Sequence, residues 1–125
     1  MNSIYLNREE LEKNIDSFKI LIDGKKCKNI NHYFKEVLSK FKLKYSKKFS
    51  LCDYLDLMCE ASTFNSDNIS FVIYNYHEFL KTDLKIKEFI ISTFKYEILP
   101  FWDNLENLNM QKKNFNLYLI EESGL

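Results

Sequence analysis

Three observations predict a small α/β protein built on a parallel sheet. Three short apolar runs, Phe18–Asp23, Ile69–Tyr74 and Phe115–Ile120, are rich in β-branched and aromatic residues and read as buried strands. Between them, apolar residues recur at helical spacing, so the order is strand, helix, helix, strand, helix, strand. Helical connections between buried strands imply parallel pairing and right-handed crossovers. Finally, 125 residues with only 2 Gly and 1 Pro leave few tight turns, which disfavours an all-β sandwich. The expectation is one domain with a sheet of three parallel strands and about four helices.

In chain order, residues 1–17 read as an N-terminal arm or short helix. Asn7 caps it and Glu10 stands three residues on, with the helix running to about Ile15. Residues 18–120 form the domain. Phe18–Asp23 opens it without strict alternation, as expected of a strand covered on both faces, and Asp23-Gly24 turns the chain. Asn31 then reads as the cap of a helix from His32 to about Lys42, with Tyr33, Phe34, Val37, Leu38 and Phe41 as its apolar stripe. A basic loop follows.

Ser50–Glu60 is the stretch with the most functional content. Leu51, Tyr54, Leu55 and Met58 make an apolar side, and Asp53, Asp56 and Glu60 an acidic one. Ser50 with Asp53 fits a capping box. On pattern alone an ordinary solvated outer face is the favoured reading of those acids, since charged outer faces are the normal way to close a helix. Ser62–Asn68 is loop chemistry. The next strand ends near Asn75–Lys81, where one helical turn fits and where Tyr74, Asn75 and Tyr76 are placed to line a surface beside the acidic helix. Asp83 to about Leu99 is the longest helix, with Ile86, Phe89, Ile90, Phe94 and Ile98 inward. Pro100 is expected to kink or end it, with Phe101, Trp102 and Leu105 continuing beyond. Asn109–Asn114 breaks the pattern, Phe115–Ile120 is the last strand, and residues 121–125 are a tail.

Lys+Arg and Asp+Glu both number 18, so no net field directs the chain to nucleic acid or an acidic substrate. The charge is segregated, however: Lys40, Lys42, Lys44, Lys47 and Lys48 run without an intervening acid, directly before the acidic helix. Cys27, Cys52 and Cys59 are odd in number and make no C-x-x-C, so free thiols in a reducing compartment are expected. No signal peptide or membrane span is legible, which makes a cytoplasmic, soluble protein the default. Cys52 and Cys59 lack the neighbours for zinc, although Cys52, at a helix head, has some case for redox sensitivity. His32 and His77 lack a nucleophile motif, and there is no phosphate loop, so neither enzyme chemistry nor a cofactor or metal is expected.

The ordered set of segments resembles the barstar family of intracellular ribonuclease inhibitors. FKILIDGKKCKNINHYFKEVLSKFKL is similar to that family's opening strand, turn glycine and first helix. SLCDYLDLM is similar to its second-helix signature, with Leu51, Asp56 and Met58 on the signature leucine, second aspartate and final leucine. NISFVIYNYHEFL is similar to its second strand and the loop after it, and the helix running to Phe101-Trp102 with the strand FNLYLI is similar to its ending, so the resemblance covers about Phe18–Ile120. It implies a barstar-like fold and a non-catalytic inhibitor or immunity protein, a monomer on its own. Its helix and preceding loop would block the active site of a cognate toxin, a ribonuclease in the family, with acids in place of RNA phosphates. The barnase–barstar pair is itself the standard example of that complementarity, so the agreement is borrowed from the family. The partner-binding residues implied are Asp56 first, then Asp53, Cys52, Tyr45 and Glu60.

Departures stand beside the matches. The first signature aspartate is Cys52, the tryptophan is Leu55, and the glycine before the helix falls at Lys48. Tyr45 meets the family's loop tyrosine only after a one-residue shift. The five lysines would also repel a basic nuclease within a Debye length of about 10 Å. An alternative from another class is therefore a nucleic-acid or anion-binding module using Lys40–Lys48 with Tyr45 and Phe49. The zero net charge and the adjacent carboxylates argue against it.

Overall fold

A computed structural model describes residues 2–104 and 113–122. Its element order is β1 (Ile4–Tyr5), α1 (Arg8–Glu12), β2 (Phe18–Asp23), α2 (Ile30–Lys40), α3 (Leu51–Met58), β3 (Asn68–Tyr74), α4 (Leu84–Thr93), a π turn (Phe94–Ile98), α5 (Leu99–Asp103) and β4 (Asn114–Leu119). All strand pairs are parallel, in the order β1-β4-β3-β2. The α/β class and parallel sheet agree with the sequence reading. The last two α segments join through the π turn into one rod, so about four helical bodies are present among the described residues.

The sheet has four strands where three were expected. Ile4 and Tyr5 pair beside Leu117 and Tyr118. Two residues are too short to give a period-two signal, and their anchoring is partly through side chains. Asn2 Oδ1 accepts from the Phe115 N–H at 3.0 Å, and the Ser3 N–H donates to Asn116 Oδ1 at 2.9 Å.

The chirality of crossovers distributes the helices. The steps β2→β3 and β3→β4 move the same way across the sheet, so right-handed connections put α2–α5 on one face. The step β1→β2 returns the other way, so α1 lies on the opposite face. Alternation along the strands matches. Ile20, Ile22, Ile69, Phe71, Ile73, Phe115, Leu117 and Leu119 enter the main core beneath α2–α5. Val72, Tyr118 and Ile120 join Leu11 of α1 in a small second cluster. Central β3 is buried on both faces, but β2 is an edge strand whose Leu21 stays half-exposed, because one five-residue helix cannot cover that face. The expectation that Phe18–Asp23 is covered on both faces is corrected accordingly.

Other boundaries moved for local reasons. Asn29, not Asn31, caps α2, its side chain accepting the His32 N–H at 2.9 Å. The earlier start brings Ile30 onto the Tyr33–Phe34–Val37 side. α2 ends at Lys40, and Lys42 turns the chain with a φ of 57°. Pro100 does not end the last helix. It stands at the junction of the π turn with the first turn of α5. Buried Ile90, Phe94, Ile98 and Trp102 are spaced by four, which in an ideal α-helix drifts about 40° per step. The π turn holds more residues per turn and absorbs that drift. Phe89, expected inward, falls on the flank and is 41% exposed. Leu105 and residues 109–112, like 123–125 of the tail, lie outside the described residues.

Gly24 marks the closest approach of two chain segments. A Cβ there would stand 2.4 Å from the Asn75 carbonyl oxygen and 3.0 Å from that of Tyr74, both backbone atoms. Asp23 Oδ1 ties the same corner by accepting from the Lys25 N–H and from Asn75 Nδ2, each at 3.0 Å. Gly24→Ala is therefore expected to destabilise the protein by about 2 kcal/mol or more, read as a lower denaturant midpoint.

Candidate functional site: the outer face of α3

Ser50 and Asp53 form the expected capping box. The Ser50 N–H donates to Asp53 Oδ2 at 2.8 Å, and the Asp53 N–H donates to Ser50 Oγ at 3.2 Å. Below this start, Tyr54 and Met58 are fully buried and turn the opposite side outward.

The helix is pinned to its neighbours by polar clamps as well as apolar contact. The Tyr54 hydroxyl meets that of Tyr33 from α2 at 2.8 Å, with Thr93 of α4 as a second neighbour. Burial pushes both tyrosines well above their ordinary value. At the other end, Trp102 Nε1 donates to the Met58 carbonyl at 3.0 Å, satisfying a terminal acceptor that is otherwise buried without a partner. α3 is thus held from α2, α4 and α5.

Cys52, Asp53 and Asp56 share the exposed side. Asp53 is committed to Ser50, whose N–H and hydroxyl hold its carboxyl below the usual aspartate range. Asp56 is exposed, and among the described residues no hydrogen bond or ion pair engages it. Glu60 departs from expectation: α3 stops at Met58, and Glu60 lies beyond it, accepting from the Ser62 N–H at 3.3 Å. It is exposed but does not stand in the helical row with Asp53 and Asp56. Tyr45, in the loop before α3, is half-buried against the core with the Lys35 ammonium 6.0 Å above its ring.

One acid escaped the sequence reading. Glu97, on the π turn, bears together with Asp56 on the Cys59 thiol; burial first, then these two charges, push that thiol up to about 11. Glu97 is thus a further exposed carboxylate, on the π turn that packs against α3 and beside exposed Tyr96. Nothing in a single sequence joins positions 56 and 97. The nearest signal is the four-residue spacing that calls for an under-wound turn, a feature that often accompanies functional sites.

Tyr76 shares a groove with Tyr96. It stacks on Phe79 and carries Lys87 4.1 Å over its ring, in an open groove of about 700 Å³ along α4. His77 is exposed, with Nδ1 3.1 Å from Glu121. Among the described residues no three His, Cys, Asp or Glu side chains converge as metal ligands, and no helix is long and apolar enough to cross a membrane.

All three cysteines are free thiols, and their environments differ. Burial, then Glu36 and Asp23, push Cys27 up to about 12, whereas Cys52 is exposed. Alkylation at pH 8 is expected to modify Cys52 first, with Cys27 and Cys59 following only on unfolding; peptide mass mapping checks this. The unfolded thiols ionise near 9.0 and the folded ones near 11 and 12. Within that window the unfolded state holds fewer protons, so stability is expected to fall as pH rises from about 9.

No family model, curated protein or solved structure gave a significant match to this chain.

Proposed function

We propose that this protein is a barstar-like inhibitor, an immunity protein that protects a cytoplasm from a cognate toxin by plugging the toxin's cationic active site with α3. The observation that carries the reading is Asp56: a carboxylate with no partner among the described residues, presented on a helix clamped from α2, α4 and α5. A pre-ordered row of carboxylates matches a site built to hold RNA phosphates, and rigidity reduces the entropy lost on docking. Asp53 supports the row and stiffens its start, Glu97 adds a further carboxylate from the π turn, and Cys52 stands beside the two aspartates. Tyr45 borders the same helix from the preceding loop, and Glu60 contributes charge from beyond the helix end.

The inhibitor works by steric and electrostatic blockade, with no chemistry of its own. Its toxin is a ribonuclease on this reading, and the product of the adjacent reading frame is the candidate to test. Expressing that product alone is expected to arrest growth and degrade RNA. Co-expression with this protein is expected to restore growth, and a purified one-to-one mixture to leave RNA intact. RNA cleavage that proceeds unchanged in the mixture would remove the proposal.

A further inference from the structure

The surface opposite in charge to α3 is the least explained feature of the molecule. Nine of the chain's 18 Lys and Arg lie between Gly24 and Phe49, with Glu36 the one acid among them. All nine lysines are exposed, and none enters an ion pair among the described residues. Glu36, half-buried beside Lys35, offsets only one of these nine charges. The chain is neutral overall, so this charge is concentrated, not averaged.

The fold joins these lysines into one band. Two open hollows share Lys25 and Lys28 at the C-terminal rim of the sheet; one continues past Glu36 to His32 and Lys35 on α2, and the other ends at the Lys81–Glu78 ion pair, which bounds the band. Lys28 precedes the cap of α2, and His32 and Lys35 follow on the exposed side of that helix, which is about 16 Å long. Lys35 then reaches the ring of Tyr45, inside the basic loop that carries Lys44, Lys47 and Lys48.

We infer that this band, from the strand rim over α2 to the loop before α3, binds the phosphate backbone of nucleic acid without reading its bases. Protein interfaces are depleted in lysine and have an apolar centre, and Leu43 is the one large apolar side chain exposed within this stretch. A nucleic-acid footprint is instead a stripe of unneutralised cations. The aromatics that would stack bases are engaged elsewhere. Phe41 packs edge-on against Phe64 and Phe49 against Phe34, with centroids 5.4 and 5.2 Å apart, and Lys35 covers Tyr45. The band therefore differs from a stacking module confined to Lys40–Lys48, and it does not depend on the inhibitor reading.

The test is fluorescence anisotropy of the full chain with labelled oligouridylate and oligoadenylate of about 20 nucleotides, a length well beyond the footprint of one strand. Binding is expected at about 50 mM salt, equal for the two bases. With about five phosphate contacts it should weaken about 100-fold by about 200 mM. Two sets of exposed substitutions, Lys25→Gln/Lys28→Gln/Lys35→Gln and Lys44→Gln/Lys47→Gln/Lys48→Gln, are each expected to lower affinity and flatten the salt dependence. Lys85→Gln, outside the band, should change neither. Absence of binding at the lower salt, loss through the loop set alone, a marked base preference, or stronger binding to phosphatidylserine vesicles than to RNA would each overturn the inference.

Discussion

Trp102→Ala is expected to destabilise the protein by about 4 kcal/mol, a large part of what holds a domain of this size together. The indole is fully buried; it stacks on Phe115 with centroids 5.9 Å apart and meets Phe64 edge-on at 5.7 Å. Truncation opens a cavity where α5 meets the sheet and also strips the Met58 carbonyl of its donor. Two costs coincide: lost apolar packing, and a buried acceptor left unpaired. Trp102→Phe separates them, since it keeps most of the packing and loses only the hydrogen bond, at about 1 kcal/mol. Urea unfolding followed by far-UV circular dichroism measures both. Equal midpoints for Trp102→Phe and the parent would mean that the clamp on α3 contributes nothing.

Asp56→Ala is expected to weaken binding of the cognate toxin about 100-fold, about 3 kcal/mol, with no change in the unfolding midpoint. The second half follows from geometry: Asp56 is exposed and its carboxylate serves nothing internal among the described residues. Asp53 should behave differently. Its carboxylate closes the capping box, so Asp53→Ala is expected to lower the unfolding midpoint while affecting binding less than Asp56→Ala. Glu97→Gln should weaken binding without loss of stability, because Glu97 is exposed on the π turn. Binding calorimetry paired with unfolding curves distinguishes a contact residue from a positioning residue at each site.

The parts of the fold that read correctly from sequence are those with long periodic signals. Phe18–Asp23 was placed to the residue, and the later strands to within one residue at each end. The capping box at Ser50 was legible because it is a local contract between two side chains three residues apart. What was missed depends on contacts distant in sequence. β1 is two residues whose partner is more than a hundred positions away. The cap at Asn29 competes with an equally suitable Asn31, and the choice falls to how Ile30 packs. The end of α3 at Met58, which removes Glu60 from the helical row, coincides with the Trp102 donor, 44 residues on. The same logic covers the site. The acids of α3 were visible in the sequence, but the further carboxylate of Glu97 was not, because only the packed π turn brings it near Cys59.

If the acidic side of α3 enters a phosphate-binding pocket, a substrate nucleotide must compete with it. This is measured by calorimetric titration of the protein into the product of the adjacent reading frame, catalytically inactivated, first with its active site free and then filled by a substrate nucleotide. Tight one-to-one binding to the free partner is expected, and its loss when the nucleotide is bound. Undiminished binding to the nucleotide-filled partner would contradict this expectation.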